Sequence, residues 1–436
     1  MTAPQLLSIA LLALAAGDTP SPLPDMQAIV GIHRKAIVLL EAALPGDRGQ
    51  RERAALVGRI LFQEKHRRLT DLADRLAGDV RTTAAAGWPA QPPVASVFLE
   101  AIEREPGWVD ADKLAFRDAL EVVRAAAARG PTDNTATRAF RARLSLDARF
   151  LAAVEGLYGR ELSDLSVRSP TPSLTSRRVA WDRYTAFVCS LYDRDSILRE
   201  NAAALEAIEE TRVPRGVPES RLEISGTELP LGTVLMTFDD GPHARFTDRI
   251  LETLAEHGAK AVFFEVGERV GRIEADDELR ESSGAAIARR VLAAGMAIGN
   301  HSFTHPLMPR LSDEAIAGEI EKTSRLLAEI IGSPPVLFRP PYGAADDRVL
   351  AAVETHRMRS VLWTVDSKDW ADPIAASIAE RVIREVRAEG CGIVLFHDIH
   401  GQTTEALPIV LDVLQASGFR FLAWNGSAFA PPVPSQ

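Results

Sequence analysis

The chain has 436 residues, of which 46 % are hydrophobic and 25 % charged, and a net charge of −10. That length exceeds one ordinary compact domain, and the balance is that of a globular protein, so two domains with sizeable cores are expected. The acidic balance excludes a nucleic-acid binder that works by neutralising phosphates, and two cysteines, Cys189 and Cys391, are too few for a cysteine metal site and read as buried free thiols.

In chain order, Leu6 to Ala16 is an apolar run too short to span a bilayer. Ala13-Leu14-Ala15 offers small residues for cleavage, and a Pro-rich stretch, Pro20 to Pro24, follows. Residues 1–24 are therefore read as a secretory signal and spacer, which implies a periplasmic or secreted protein. With no Lys or Arg ahead of the run, the alternative is an N-terminal helix of a cytoplasmic protein. No other segment is long and apolar enough to be transmembrane.

Residues 25–210 carry helical periodicity throughout. Met26, Ile29, His33, Ile37, Leu40 and Leu44 share one face, as do Leu56, Ile60, Leu69, Leu72, Leu76 and Val80. Further stripes run through Leu114 to Ala127, Phe140 to Leu157 and Trp181 to Leu191, with breaks at Pro45-Gly46, Gly87 to Pro93, Pro106-Gly107 and Gly130-Pro131. This reads as an all-α helical bundle whose role is open; docking of a protein partner or of a polymer is one expectation. Periodicity is then lost over 211–230, where Pro214, Gly216, Pro218 and Gly226 mark a linker.

From 231 to 430, short apolar runs alternate with amphipathic helices. The expected strands are Val234–Phe238, Ala261–Val266, Met296–Gly299, Val336–Phe338, Ser360–Val365, Gly392–Phe396 and Arg420–Ala423. Ile316, Ile320, Thr323, Leu327 and Ile330 form one helical stripe, and Asp372-Pro373 opens a helix carrying Ile374, Ile378, Val382 and Val386. Such alternation implies a parallel α/β fold, and about seven units in ~200 residues point to barrel closure.

The chemistry-bearing residues stand where these strands end. Asp239-Asp240 follow Thr237-Phe238 and precede Gly241-Pro242; alone, the hexapeptide reads equally as a turn. His301-Ser302-Phe303-Thr304-His305 adds two imidazoles at ligand spacing. Asp240, His301 and His305 would hold a divalent metal and leave positions open for water and substrate; mixed N and O donors suit Zn²⁺, and also Co²⁺, Ni²⁺ or Mn²⁺. Asp239 then reads as the base for a metal-bound water, with Arg339 pairing with it. His397 reads as the acid for a departing amine, with Asp366 holding its imidazole. The Tyr342 N–H would meet an oxyanion, and Trp370 and Leu395 would wall a pocket of acetyl size.

Thr237–Pro242, His301-Ser302-x-x-His305, Arg339-Pro340-Pro341-Tyr342-Gly343, Asp366-x-x-Asp369-Trp370 and Leu395-x-His397, in this order, resemble the motifs of the polysaccharide deacetylases (NodB-homology, carbohydrate esterase family 4). The resemblance covers Leu231 to Trp424 and implies a distorted (β/α) barrel with about seven strands. It implies a metal-dependent hydrolase acting on an N-acetylated glycan such as peptidoglycan, an exopolysaccharide or a chitin-like oligomer, with the same residue roles. An O-acetyl esterase on the same residues, or a non-catalytic glycan-binding protein, are the alternatives. The stretch Glu268–Gly284 is longer and more acidic than the family's loop, and the helical half has no counterpart in the minimal catalytic domain.

Overall fold

The computed structural model describes residues 20–41, 48–128, 134–166, 179–209 and 223–432. The apolar run Leu6–Ala16, the breaks at Pro45-Gly46 and Gly130-Pro131, and linker residues 211–222 lie outside the described residues. The chain divides into two units, one of Met1–Arg34 and Leu61–Gly156, the other of Lys35–Ile60 and Leu157–Gln436. The division differs from a cut at 211–230, because Lys35–Ile60 and the helices after Gly156 group with the strands.

The first unit is helical, as its periodicity requires. Met26, Ile29, Leu72, Leu76, Val80, Phe98, Phe116, Leu120, Phe140 and Leu144 are buried in it. Each such side chain contributes about 1.5–3 kcal/mol through burial. Arg34 makes a bidentate pair with buried Asp112 in this unit, at 2.9 and 2.6 Å.

In the second unit the strands are β1 (Glu223–Ile224), β2 (Thr233–Gly241), β3 (Ala261–Glu265), β4 (Gly271–Ile273), β5 (Leu279–Glu281), β6 (Ala297–Asn300) and β7 (Leu337–Phe338). They continue with β8 (Arg359–Val361), β9 (Val365–Asp366), β10 (Gly392–His397), β11 (Arg420–Phe421), β12 (Ala423–Trp424) and β13 (Phe429–Ala430). The main sheet is parallel, in the order β1-β8-β7-β6-β3-β2-β10-β9, with β11 beside β2. Strand β8 pairs with β7, and β9 with β10, yet only Leu362–Thr364 separate them. One stretch of backbone thus runs from β8, next to the end strand β1, to β9 at the other end of the sheet, consistent with the distorted (β/α) barrel expected from the alternation. The expected strand Ser360–Val365 is split in forming this seam, and β1 falls inside the stretch read as linker.

Strands β2, β3 and β10 are buried along their whole length, as parallel strands covered on both faces must be. Phe238, Phe263 and Phe396 stack under the helices at 4.9 and 5.8 Å between ring centroids, while Leu235, Val262, Phe264 and Ile393 fill the opposite face. The stripe Ile316, Ile320, Thr323, Leu327 and Ile330 is buried in the helix Asp313–Ile331, which Ser312 caps and Gly332, at φ 81°, ends. In the helix Ala375–Glu389, Ile378, Val382 and Val386 are buried likewise.

The acidic stretch Glu268–Gly284 folds into the β4–β5 hairpin. Its carboxylates are paired locally, Glu274 with Arg272, Asp277 with Arg325 and Glu281 with Arg289, so its charge is largely neutralised in place. Both cysteines are free thiols; Cys391 is buried as expected, but Cys189 is exposed.

Candidate functional site

Strand β2 delivers two adjacent carboxylates. Successive strand residues ordinarily point to opposite faces, so both reach one site only if the backbone departs from the strand. It does so at Asp240, whose φ is 70°, and the register with β3 shifts between Asp239 and Gly241. Ser302, His305, Tyr342 and Lys368 also adopt left-handed φ values between 57° and 65°. Backbone of this kind costs free energy and persists where the surroundings hold it, which marks these loops as built for aiming side chains.

Asp239 faces Arg339, whose Nη1 donates to Asp239 Oδ1 and to Thr237 Oγ1, both at 2.7 Å. The guanidinium is fully buried, and its remaining donors reach the carbonyls of Val361 and Leu362 at 2.8 and 3.0 Å. It lies 4.3 Å from the Phe264 ring centroid, so it is packed as well as bonded. Burial lowers its affinity for the proton, and Asp239 opposes that, leaving a fixed positive charge beside the carboxylate.

Asp240 sits with the two imidazoles. His305 Nε2 and His301 Nε2 lie 3.2 and 3.4 Å from Asp240 Oδ1, and one donor atom from each residue falls within 4.8 Å of the others. His301 Nδ1–H donates to the Arg339 carbonyl at 2.7 Å, which turns its Nε2 lone pair toward Asp240. Burial, only partly offset by Asp240, brings the His305 pKa down to about 3. Burial disfavours the Asp240 carboxylate, but His305, His301 and His397 outweigh it and hold its pKa well below the usual range. A His305 imidazole kept neutral by burial, an ionised Asp240 and a His301 Nε2 turned to the same point fit a divalent cation.

The His301–His305 loop is shaped by its own neighbours Asn300 and Ser302 and by Glu319, which the sequence did not single out. Asn300 Oδ1 accepts the Ser302 N–H at 2.8 Å, and Ser302 Oγ accepts the His305 N–H at 3.0 Å. Glu319, on the helix Asp313–Ile331, accepts the N–H groups of Phe303 and Thr304 at 2.8 and 2.7 Å. Nothing in the sequence signals Glu319, which sits on the polar side of an amphipathic helix.

His397 lies directly across from Asp239 in the β2–β10 register. Its Nδ1–H donates to Asp369 Oδ1 at 2.7 Å, and its backbone N–H to Asp369 Oδ2 at 2.8 Å. Thr403 Oγ1 also donates to Asp369, at 2.6 Å. Burial would lower the His397 pKa, but the Asp369 charge and hydrogen bond, with Asp240 and Asp239 behind, raise it to about 10. The imidazole is therefore a protonated donor at neutral pH.

The partner of His397 is Asp369 and not Asp366. Asp366 instead accepts from the Lys368 N–H at 2.9 Å and from Trp370 Nε1 at 3.3 Å. The left-handed turn at Lys368 carries the chain back, so the second carboxylate of the motif, not the first, meets the ring. Trp370 is also placed differently from expectation: 1 % exposed, it is buried and does not wall an open pocket. The half-buried indole near the site is Trp363, packed against the Tyr342-Gly343 turn. Leu395 is buried on the strand face it shares with His397, two residues on. The Tyr342 ring lies 4.7 Å from that of His305.

Behind these groups, Glu265 and Asp398 are both fully buried, and burial and mutual repulsion raise their pKa values, Asp398 to about 7. Thr247 Oγ1 donates to Asp398 at 2.5 Å.

Residues 227–361 match the profile of the family described as "Polysaccharide deacetylase". The chain is 33 % identical over 205 residues to a Bacillus cereus peptidoglycan-N-acetylglucosamine deacetylase, covering 45 % of this chain and 70 % of that protein. It is 33 % identical over 202 residues to the chitooligosaccharide deacetylase of Azorhizobium caulinodans, covering 43 % and 90 %. Listeria monocytogenes peptidoglycan-N-acetylglucosamine deacetylase PgdA is 32 % identical over 189 residues, 43 % of this chain, and the match spans only 37 % of the Listeria protein's length.

Proposed function

Taking as premise that the chain belongs to the polysaccharide deacetylase family, we propose that it is a hydrolase that removes acetyl groups from N-acetylated amino sugars of a glycan polymer, releasing acetate and free amines. The observation that carries this reading is the pairing, across one strand register, of Asp239 held by Arg339 with His397 held by Asp369, beside the Asp240–His301–His305 set.

A divalent cation held by Asp240, His301 and His305, with Zn²⁺ the first choice over Co²⁺, Ni²⁺ and Mn²⁺, would polarise the acetyl carbonyl and acidify the attacking water. Asp239, held by the Arg339 guanidinium, takes a proton from that water as its oxygen bonds to the acetyl carbon. The Tyr342 N–H meets the oxyanion. His397 gives its proton to the sugar nitrogen as the C–N bond breaks, a step that an amide requires because an amide anion is a prohibitive leaving group.

The relatives named for peptidoglycan make a cell-wall glycan the first substrate class to test, and a periplasmic or secreted location goes with that reading. Among the described residues, no helix is long and apolar enough to cross a membrane. The test is acetate release from N-acetylglucosamine oligomers, with acetylated xylan in parallel, using protein stripped by chelator and resupplied with each metal. Release from the oligomers that returns with metal supports the proposal. Release from xylan alone would replace it with an O-acetyl esterase.

A further inference from the structure

The helix Arg48–Ala85 brings a charged residue to the barrel from far upstream in the chain. Arg59 belongs to the same unit as the strands. Its Nη1 donates to Asp366 Oδ2 at 3.2 Å, and the two side chains are 15 % and 12 % exposed. Its guanidinium carbon lies 5.3 Å from the ring centroid of Trp363, and that of Arg339 lies 5.5 Å from the same ring. One indole is thus held by two guanidinium groups, each with its own carboxylate, Asp366 and Asp239.

The approach is close. A Cβ on Gly58 would fall 2.2 Å from Trp370 Cη2 and 2.6 Å from Cζ3, so only glycine lets the helix backbone lie on that rigid ring. On the other side, a Cβ on Gly343, which has φ 67°, would fall 2.7 Å from Trp363 Cη2. Trp363 is therefore wedged against the Tyr342-Gly343 turn, whose Tyr342 ring meets His305 edge-to-face. Trp370 in turn donates through Nε1 to Asp366.

We propose that Arg59 is a positioning residue for substrate binding: through Asp366 and Trp363 it sets the wall beside the Tyr342-Gly343 turn. This inference rests on the deacetylase reading for its kinetic consequence, and it lies outside the matched family region, residues 227–361. Arg59 touches no reacting group; it fixes the indole that an N-acetylated sugar must pass.

The test uses the full chain with Arg59→Ala, Arg59→Lys and Trp363→Phe. For N-acetylglucosamine oligomers, Arg59→Ala raises KM about 3- to 10-fold, the range of a partly desolvated cation–π contact, while kcat stays within about 3-fold. Arg59→Lys restores part of the loss, because an ammonium pairs with Asp366 but cannot lie flat on an indole. Adding Arg59→Ala to Trp363→Phe has little further effect, since the two act as one unit. Acrylamide quenching of the Trp363 contribution, taken as the difference from Trp363→Phe, rises in Arg59→Ala. That readout needs no turnover, so wild-type protein that released no acetate would count against the proposed activity while quenching still decided the role of Arg59. Unchanged KM and quenching in Arg59→Ala overturn the inference. So does a fall in kcat that tracks a lowered melting temperature, with no rescue by Arg59→Lys.

Discussion

The two sides of the site solve the same electrostatic problem with different cations. On one side Asp239 is paired at 2.7 Å with Arg339, and on the other Asp369 is paired at 2.7 Å with His397. An arginine keeps its proton at any working pH, so it orients its carboxylate without donating a proton to the reaction. A histidine can release its proton, so the same pairing makes it a donor whose strength the carboxylate tunes. The proposed base and acid therefore differ not in their carboxylates but in what each carboxylate is bonded to.

The bluntest way to break this comparison is to remove what lies between the two sides. His301→Ala removes one of three donors to the cation and the ring that spans from Asp240 to the Arg339 carbonyl. Bound metal falls far below one equivalent by elemental analysis, and acetate release falls to background. Asp239→Asn tests the base side alone: kcat falls by about 10³ to 10⁴ with metal content unchanged, toward the upper range for loss of a general base. Turnover within tenfold of wild type would remove Asp239 from that role.

Asp369→Asn tests the acid side. Losing its charge lowers the His397 pKa from about 10, so the alkaline limb of kcat/KM moves to lower pH and kcat drops about 10- to 100-fold. The sign also holds for stability. His397 gains proton affinity on folding, so its contribution is complete below about 6.5, the unfolded value, and fades as pH rises toward about 10. Melting temperatures across that window should fall less steeply in Asp369→Asn than in wild type. The smallest effect is expected for Asp366→Asn, which leaves the His397 pair intact: the alkaline limb stays in place and the change appears in KM. A shift of that limb in Asp366→Asn would reverse the assignment of the two aspartates.

Asp240, His301, His305, Asp239 and Arg339 were legible as a group because the motifs that carry them close apolar runs, and strand ends of a parallel barrel converge on one face. Helical and strand periodicity likewise foretold the α-helical stretch and the barrel, since both follow from which side chains must leave water. What sequence order could not resolve was reach. Asp366 and Asp369 are three residues apart, and only the left-handed turn at Lys368 decides which meets His397. Trp363 and Trp370 are separated in the same way: packing against Gly343 keeps one beside the site, and packing against Gly58 buries the other.

The amino-acid sequence by itself determined the alternation of strands and helices, the strand-end placement of the residues proposed for catalysis and the spacing of the candidate metal ligands, because these depend on local periodicity and spacing. Tertiary structure decided which carboxylate tunes His397, that Glu319 shapes the ligand loop, that Glu265 and Asp398 share a buried space, and that Arg59 belongs beside the barrel. Each of these is a contact between segments distant in the chain or a turn of a few degrees of freedom, and only the closed fold sets which side chains share a space.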